Sequence, residues 1–233
     1  MVHSSNGVTH MLVNRSFLIG AAAAASICIG GAAVFSQPDD KSKPAQPPAH
    51  AEHDMAAMMA EYAKTMNPGE HHKTLEPFVG TWTTVSKMYM EGPDGPATES
   101  KGVSTKKWIL GNRFIVENFK GEMMMPNEKG ELAPSSFEGT GMTGFNNFRG
   151  MYEGTWADTW GTQLLTFSGS LSHDQKTLTM YGTMDEPGMR IIGRHVRYET
   201  KWIDKDTYVF VMYDLHAGED HKAMEITYTR DKK

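Results

Sequence analysis

The chain is 233 residues long, 39% hydrophobic and 22% charged, enough for one substantial core and too polar for a multispan membrane protein. Its 23 basic and 28 acidic residues give a formal charge of −5, so no overall basic field speaks for a nucleic-acid partner. The one cysteine, Cys28, lies in an apolar N-terminal run, which excludes intrachain disulfides, Cys-based zinc sites and thiol catalysis from everything after it.

In chain order, the first feature is Ser16–Phe35, 20 residues without a charge, preceded by Arg15 and followed by Asp39-Asp40-Lys41. Residues 1–36 therefore read as a secretory signal peptide or a single membrane anchor. Its many small residues favour cleavage over a permanent anchor. Val34-Phe35-Ser36 and Gly31-Ala32-Ala33 both suit a cleavage site, and Ile27 before Cys28 argues against lipidation. Translation from Met1 or from Met11 fits equally. The expected location is exported, periplasmic or extracytoplasmic, with or without a tether through residues 16–35. Residues 37–49, with four prolines and little that packs, read as a disordered linker.

Residues 50–69 carry Met55, Met58, Met59, Tyr62 and Met66 at the spacing of one helix face, stopped by Asn67-Pro68-Gly69. The pattern predicts a short amphipathic helix whose Met face rests on the domain. The alternative is a soft-metal site, with His50, His53 and the methionines as copper ligands.

From Glu70 onwards, short period-two segments alternate with Gly, Pro, Asn and Asp. They run at Trp82–Glu91, Val103–Leu110, Phe114–Lys120, Glu138–Asn146, Met151–Trp156, Leu164–Leu171, Thr177–Met184, Arg190–Ile203, Thr207–Leu215 and Lys222–Arg230. About ten antiparallel strands with hairpin-length links predict an all-β, closed up-and-down barrel, because closure removes exposed edges. Several segments are apolar on both faces, as Tyr208, Phe210 and Met212 against Val209, Val211 and Tyr213 illustrate. One face must meet another layer, a partner or a ligand.

Five motifs occur in order: His71-His72-Lys73-Thr74-Leu75-Glu76-Pro77-Phe78-Val79-Gly80-Thr81-Trp82, Gly111-Asn112-Arg113-Phe114, Phe137 to Asn147, Trp156-Ala157-Asp158 with Gly161-Thr162, and Met224 to Arg230. Together they resemble the bacterial family called domain of unknown function 1579, from about Glu70 to Arg230. The resemblance implies a lipocalin-like closed barrel and no settled activity. Phe145 and Asn146 stand where that family commonly has Tyr and Asp. Gly80-Thr81-Trp82 also resembles the opening motif of lipocalin barrels. That likeness implies Trp82 closing one end of the barrel beneath a late basic residue, here Arg230, as a structural pair.

Chemistry is less legible. Glu138, flanked by Phe137 and Gly139, is expected to point inward and pair with Arg113, orienting a bound polar head group. Trp156 and Asp158 share a strand face and form either a ligand-gripping rim or a turn cap. Arg113, Glu138, Trp156 and Asp158 are thus the expected ligand-binding residues. A second reading makes Glu138 a general base beside Arg113 as anion clamp. A third places haem or copper on His/Met residues, with His71 and His72 joined by His195 or His216. Adjacent histidines point apart, so that pair alone holds no ion readily, and a polar helix start is the plainer account. No phosphate loop precedes a helix and no nucleophile elbow occurs, so nucleophilic catalysis has no support. No cofactor is expected. The leading expectation is an exported barrel holding a small apolar or amphiphilic molecule in its interior.

Overall fold

The computed structural model describes residues 50–232. The expected signal or anchor and the linker, residues 1–49, lie outside the described residues. Among the described residues no helix is long and apolar enough to cross a membrane.

The chain runs α1 (His50–Met66), α2 (Glu70–Lys73), a 3-10 turn (Glu76–Phe78) and then ten strands. These are β1 (Gly80–Met88), β2 (Thr98–Ile109), β3 (Phe114–Pro126), β4 (Leu132–Asn146) and β5 (Met151–Asp158). They continue as β6 (Leu165–Leu171), β7 (Thr177–Glu186), β8 (Ile191–Asp204), β9 (Thr207–Asp214) and β10 (Lys222–Arg230). Each strand pairs antiparallel with the next, and β1 pairs with β10, so the sheet closes into a ten-stranded barrel. The ten predicted segments all form strands. β2, β3 and β4 are longer than the period-two signal suggested: β2 takes in Thr98–Gly102 opposite β1, while β3 carries Met123–Met125 and β4 begins at Leu132, extending their shared hairpin.

Alternation along a strand sends every second side chain inward. The register fixes which: Trp82 and Thr84 of β1 lie beside Arg230 and Tyr228 of β10, and Tyr228 beside Tyr208 of β9. Trp82, Tyr208, Tyr228, Ile115, Phe119, Phe137, Tyr152 and Val196 are all buried. The core is therefore the barrel interior.

One end is plugged by the segment before β1. Gly80 has φ +137°, and a Cβ there would lie 2.8 Å from Arg230 Nη1, so only glycine lets the chain turn into β1 under that guanidinium. The Arg230 guanidinium sits 4.1 Å from the centre of the Trp82 ring system. Its Nη1 donates to the Val79 carbonyl at 2.8 Å and its Nη2 to the Pro77 carbonyl at 2.6 Å. Trp82 Nε1 donates to the Phe78 carbonyl at 2.8 Å. Pro77, Phe78 and Val79 are thus pinned over the barrel end.

The helical segment forms as expected, but its Met face does not rest on the barrel. Met55, Met58, Met59, Tyr62 and Met66 are exposed. The helix is held instead by its C-terminal carbonyls: Arg113 donates to the Met66 carbonyl and Asn147 to those of Thr65 and Asn67. Free carbonyls at a helix end need donors, and two turns of the barrel supply them.

Replacing Arg230 with Met should remove the cation–π contact and both charged hydrogen bonds, costing about 2–4 kcal/mol. Arg230→Lys should recover only part, since one ammonium cannot serve the ring and two diverging carbonyls together. Urea unfolding of the two variants against the parent measures this.

Candidate functional site

The barrel interior is mixed in character. One group of polar side chains sits on β1, β2, β3 and β10, beside the apolar Trp82, Tyr208 and Ile226. Glu117 accepts from Lys106 Nζ and from Ser104 Oγ, each at 2.6 Å, and lies 3.4 Å from the Tyr228 hydroxyl. The Lys106 and Glu117 side chains retain only 12% and 16% of their exposure. Lys106 Nζ also sits 4.9 Å from the Tyr228 ring centre and 5.5 Å from that of Tyr208. A buried ammonium is thereby held by one carboxylate and by ring faces, which offsets its lost hydration. Beside this group, Thr84, Ser86 and Ser104 are almost wholly buried and face inward.

Elsewhere the interior is mostly apolar. Ile115, Tyr152, Leu178, Met180, Val196 and Tyr198 form one buried cluster. Towards the end away from the plug, Phe119, Met123 and Phe137 form another, with Trp156, Met88 and Met224 packed on it. Here the wall is built from glycine so that rings can lie flat on it. A Cβ at Gly139 would fall 2.2 Å from the Trp156 ring, and one at Gly141 2.8 Å from it. The indole is locked as well: Trp156 Nε1 donates to Asp158 Oδ2 at 2.9 Å, while Asp158 Oδ1 accepts from the backbone N–H of Trp160 at 2.9 Å. Asp158 therefore caps its turn and orients Trp156 at once. Trp160 packs edge-on against Phe137 with centroids 4.8 Å apart and extends that cluster at the end away from the plug.

A second inward ion pair stands at the same end. Arg194 donates to both oxygens of Asp214, with Nε at 2.8 Å from Oδ1, and the His216 backbone N–H adds a third bond. Burial alone would raise the Asp214 carboxyl, but the Arg194 and His216 hydrogen bonds and the Arg194 charge leave it below the usual carboxylate range. The phenols respond to burial without such partners. Burial pushes Tyr198 up to about 12. Burial, then the neighbouring Tyr228 and Glu117, raises Tyr208 well above its ordinary value, and burial with Glu117 does the same to Tyr228.

The expected pairing of Arg113 with Glu138 is not formed. Phe137 is buried inside the barrel, so alternation turns its neighbour Glu138 outward, where it pairs with Lys120 at 3.0 Å with both side chains exposed. Glu138 stands opposite Lys120 in the register, seven residues along β3 from Arg113, roughly 23 Å at about 3.3 Å per residue. Arg113 is spent on backbone carbonyls of Leu110 and Met66. It lines a separate cleft of about 230 Å³ outside the plugged end, shared with His72, Phe145, Asn147 and Glu153. A general base at Glu138 clamped by Arg113 has no geometry here.

The histidine alternative disperses in the same way. His71 stacks on Phe145 at 4.2 Å, whereas His72 is buried and its Nδ1 accepts from the Gly69 N–H. His195 and His216 are exposed. The side chains of His50 and His53 lie outside the described residues. Among the described residues no three His, Cys, Asp or Glu side chains converge on a metal position.

Sequence reasoning did not single out Lys106, Glu117, Ser104, Thr84 or Ser86. The available signal was parity: Glu117 alternates in phase with Ile115 and Phe119, both buried.

A family model described as "Protein of unknown function (DUF1579)" matches residues 67–230. No curated protein matches the chain. Among solved structures, the chain is similar to Rv2717c from M. tuberculosis (13% identity, 71% of this chain and 100% of that one, TM-score 0.46). It is also similar to the S-type phycobiliprotein lyase CPES from Guillardia theta (10% identity, 71% and 99%, TM-score 0.39). A redesigned beta barrel matches at 12% identity over 70% and 96%, with a TM-score of 0.33.

Two outcomes test this interior. Glu117→Gln leaves Lys106 without its counter-charge and should cost about 2–4 kcal/mol, whereas the double change Lys106→Met with Glu117→Gln should restore most of it. Chemical unfolding of the three proteins measures the difference. Unfolded phenols ionise near 10, and Tyr198 is held at about 12, so the stability they contribute is whole below about pH 10 and is lost as pH rises through about 12. Three of the eight tyrosines, Tyr198, Tyr208 and Tyr228, should yield tyrosinate absorbance only when the barrel unfolds.

Proposed function

The chain belongs to the DUF1579 family of proteins of unknown function, and from the interior of its barrel we propose that it is an exported binding protein for a small, largely apolar molecule. The observation that carries this is the incomplete burial of side chains aimed at the barrel centre. Trp156, Phe167, Met184, Phe210 and Met212 all face inward by register, yet each keeps an intermediate exposure. That exposure is what supports room for a ligand beside them. An eight-stranded barrel is just filled by its own side chains, and ten strands enclose a wider interior.

Apolar surface left open inside a barrel gains free energy when a ligand covers it, at about 25 cal/mol per Å². Trp156, fixed by Asp158 over the glycine wall, offers a rigid ring face near the open end, and Trp160 extends it to the rim. Trp156 and Asp158, two of the four expected ligand-binding residues, keep that role in this reading. Export through residues 16–35 belongs to the same reading: an exported carrier would meet its ligand outside the cytoplasm.

Native mass spectrometry of protein purified from its own host without denaturation should show a mass excess that organic extraction removes. Trp156→Ala should lower the retained fraction several-fold while the protein still melts cooperatively. An unliganded mass, together with no uptake of naphthalene by calorimetry, overturns the reading.

A further inference from the structure

The cleft outside the plugged end offers about 230 Å³ of space, and segments far apart in the sequence close it. Met66 ends α1, Arg113 lies in the turn before β3, Phe148 lies in the turn between β4 and β5, and Glu153 belongs to β5. Bonds from Arg113 and Asn147 to the carbonyls ending α1 hold these segments together. The charges lining the cleft do not cancel. Glu153 is already answered, since Arg149 Nη1 donates to it at 2.8 Å and Asn146 Nδ2 at 3.1 Å. His72 adds no charge near neutral pH, because burial, then the neighbouring His71 and Arg113, hold it below its ordinary value. Arg113 donates four hydrogen bonds, all to backbone carbonyls of Met66, Leu110 and Gly111. Four bonds leave at least one of its five N–H groups without a partner among the described residues. The carbonyl end of α1 offsets about half a charge, so a positive remainder stays in the cleft.

The same cleft leaves apolar surface uncovered. Phe148 is 86% exposed and Met66 61% exposed, and both line it. We infer that the cleft binds a small molecule with one carboxylate and a flat apolar body, an aryl or arylalkyl acid. Its carboxylate meets Arg113 in a charge-assisted hydrogen bond, and its ring covers Phe148 and Met66. A cation would meet the Arg113 charge with no free carboxylate to answer it. A second anionic group would have no counter-charge left, since Arg149 is engaged by Glu153. This site lies outside the barrel and stands independently of the interior-binding reading.

The test compares 2-naphthoate, naphthalene and 2-naphthylmethylamine by calorimetry on the full chain. The carboxylate should bind at least about tenfold tighter than naphthalene, and the amine weaker than the carboxylate by more than that. Raising the salt from about 0.05 to about 0.5 M should weaken 2-naphthoate binding and leave naphthalene unaffected. Arg113→Gln should abolish the advantage of the carboxylate. Phe148→Ala, at an exposed turn position, should lower 2-naphthoate affinity by about 3- to 10-fold. If Arg113→Gln fails to fold, the Phe148→Ala and salt results decide. Absence of 2-naphthoate binding, an amine that binds as well as the carboxylate, or affinity unchanged in both variants overturns the cleft site and leaves interior binding standing. Trp156→Ala separates the two sites, because loss of 2-naphthoate affinity in that variant assigns the probe to the interior and overturns the cleft.

Discussion

A sheet that closes on itself forces half of its side chains into a confined space, and the seam between β1 and β10 sets which half. Trp82 opposite Arg230 fixes that seam. A slip by one residue would turn Trp82, Thr84 and Ser86 to solvent and bring Thr83 and Val85 inside. The guanidinium stacked on the indole resists the slip, because its carbonyl partners at Pro77 and Val79 lie on the plug and not on the strands. One arginine thus ties the register, the plug and the start of the barrel to one another. The placement of Lys106, Glu117 and Tyr228 on the same inner wall follows from that register.

Much of the architecture was legible in the sequence, because a barrel strand writes its alternation locally and its turns carry Gly, Asn and Asp. The closure pair was legible for a similar reason: Gly80-Thr81-Trp82 is a short motif, and Arg230 ends the last period-two segment. The inner polar group was not. In β2, Ser104 and Lys106 face in while Val103 and Thr105 face out, so the apolar–polar pattern that marks a buried face is inverted there. Glu138 was misleading for the opposite reason. Its apolar and glycine neighbours suggested an inward setting, but neighbours in a strand point the other way. The Met stripe of α1 shows that amphipathic spacing predicts a helix and not what its apolar face meets.

The interior joins two kinds of physics that usually exclude each other. Aromatic rings lie flat on a glycine-lined wall, and a carboxylate–ammonium pair is buried among phenols a few strands away. A barrel filled only by its own apolar side chains would gain more from packing and would have no use for unpaired hydroxyls. Thr84, Ser86 and Tyr208 keep buried hydroxyls without a partner among the described residues, which costs the barrel some stability.

The order of the strands also bears on how the molecule assembles. Nine of the ten ladders join neighbours in the chain, so each can zip through a short hairpin at little loop-closure entropy. The tenth unites Gly80–Met88 with Lys222–Arg230 and must gather nearly the whole described chain. That ladder spans the largest sequence separation in the sheet, the pairing that loop-closure entropy makes slowest to form. Until it forms, the growing meander exposes two raw edges, so the interval before it zips is when this protein is most exposed to aggregation.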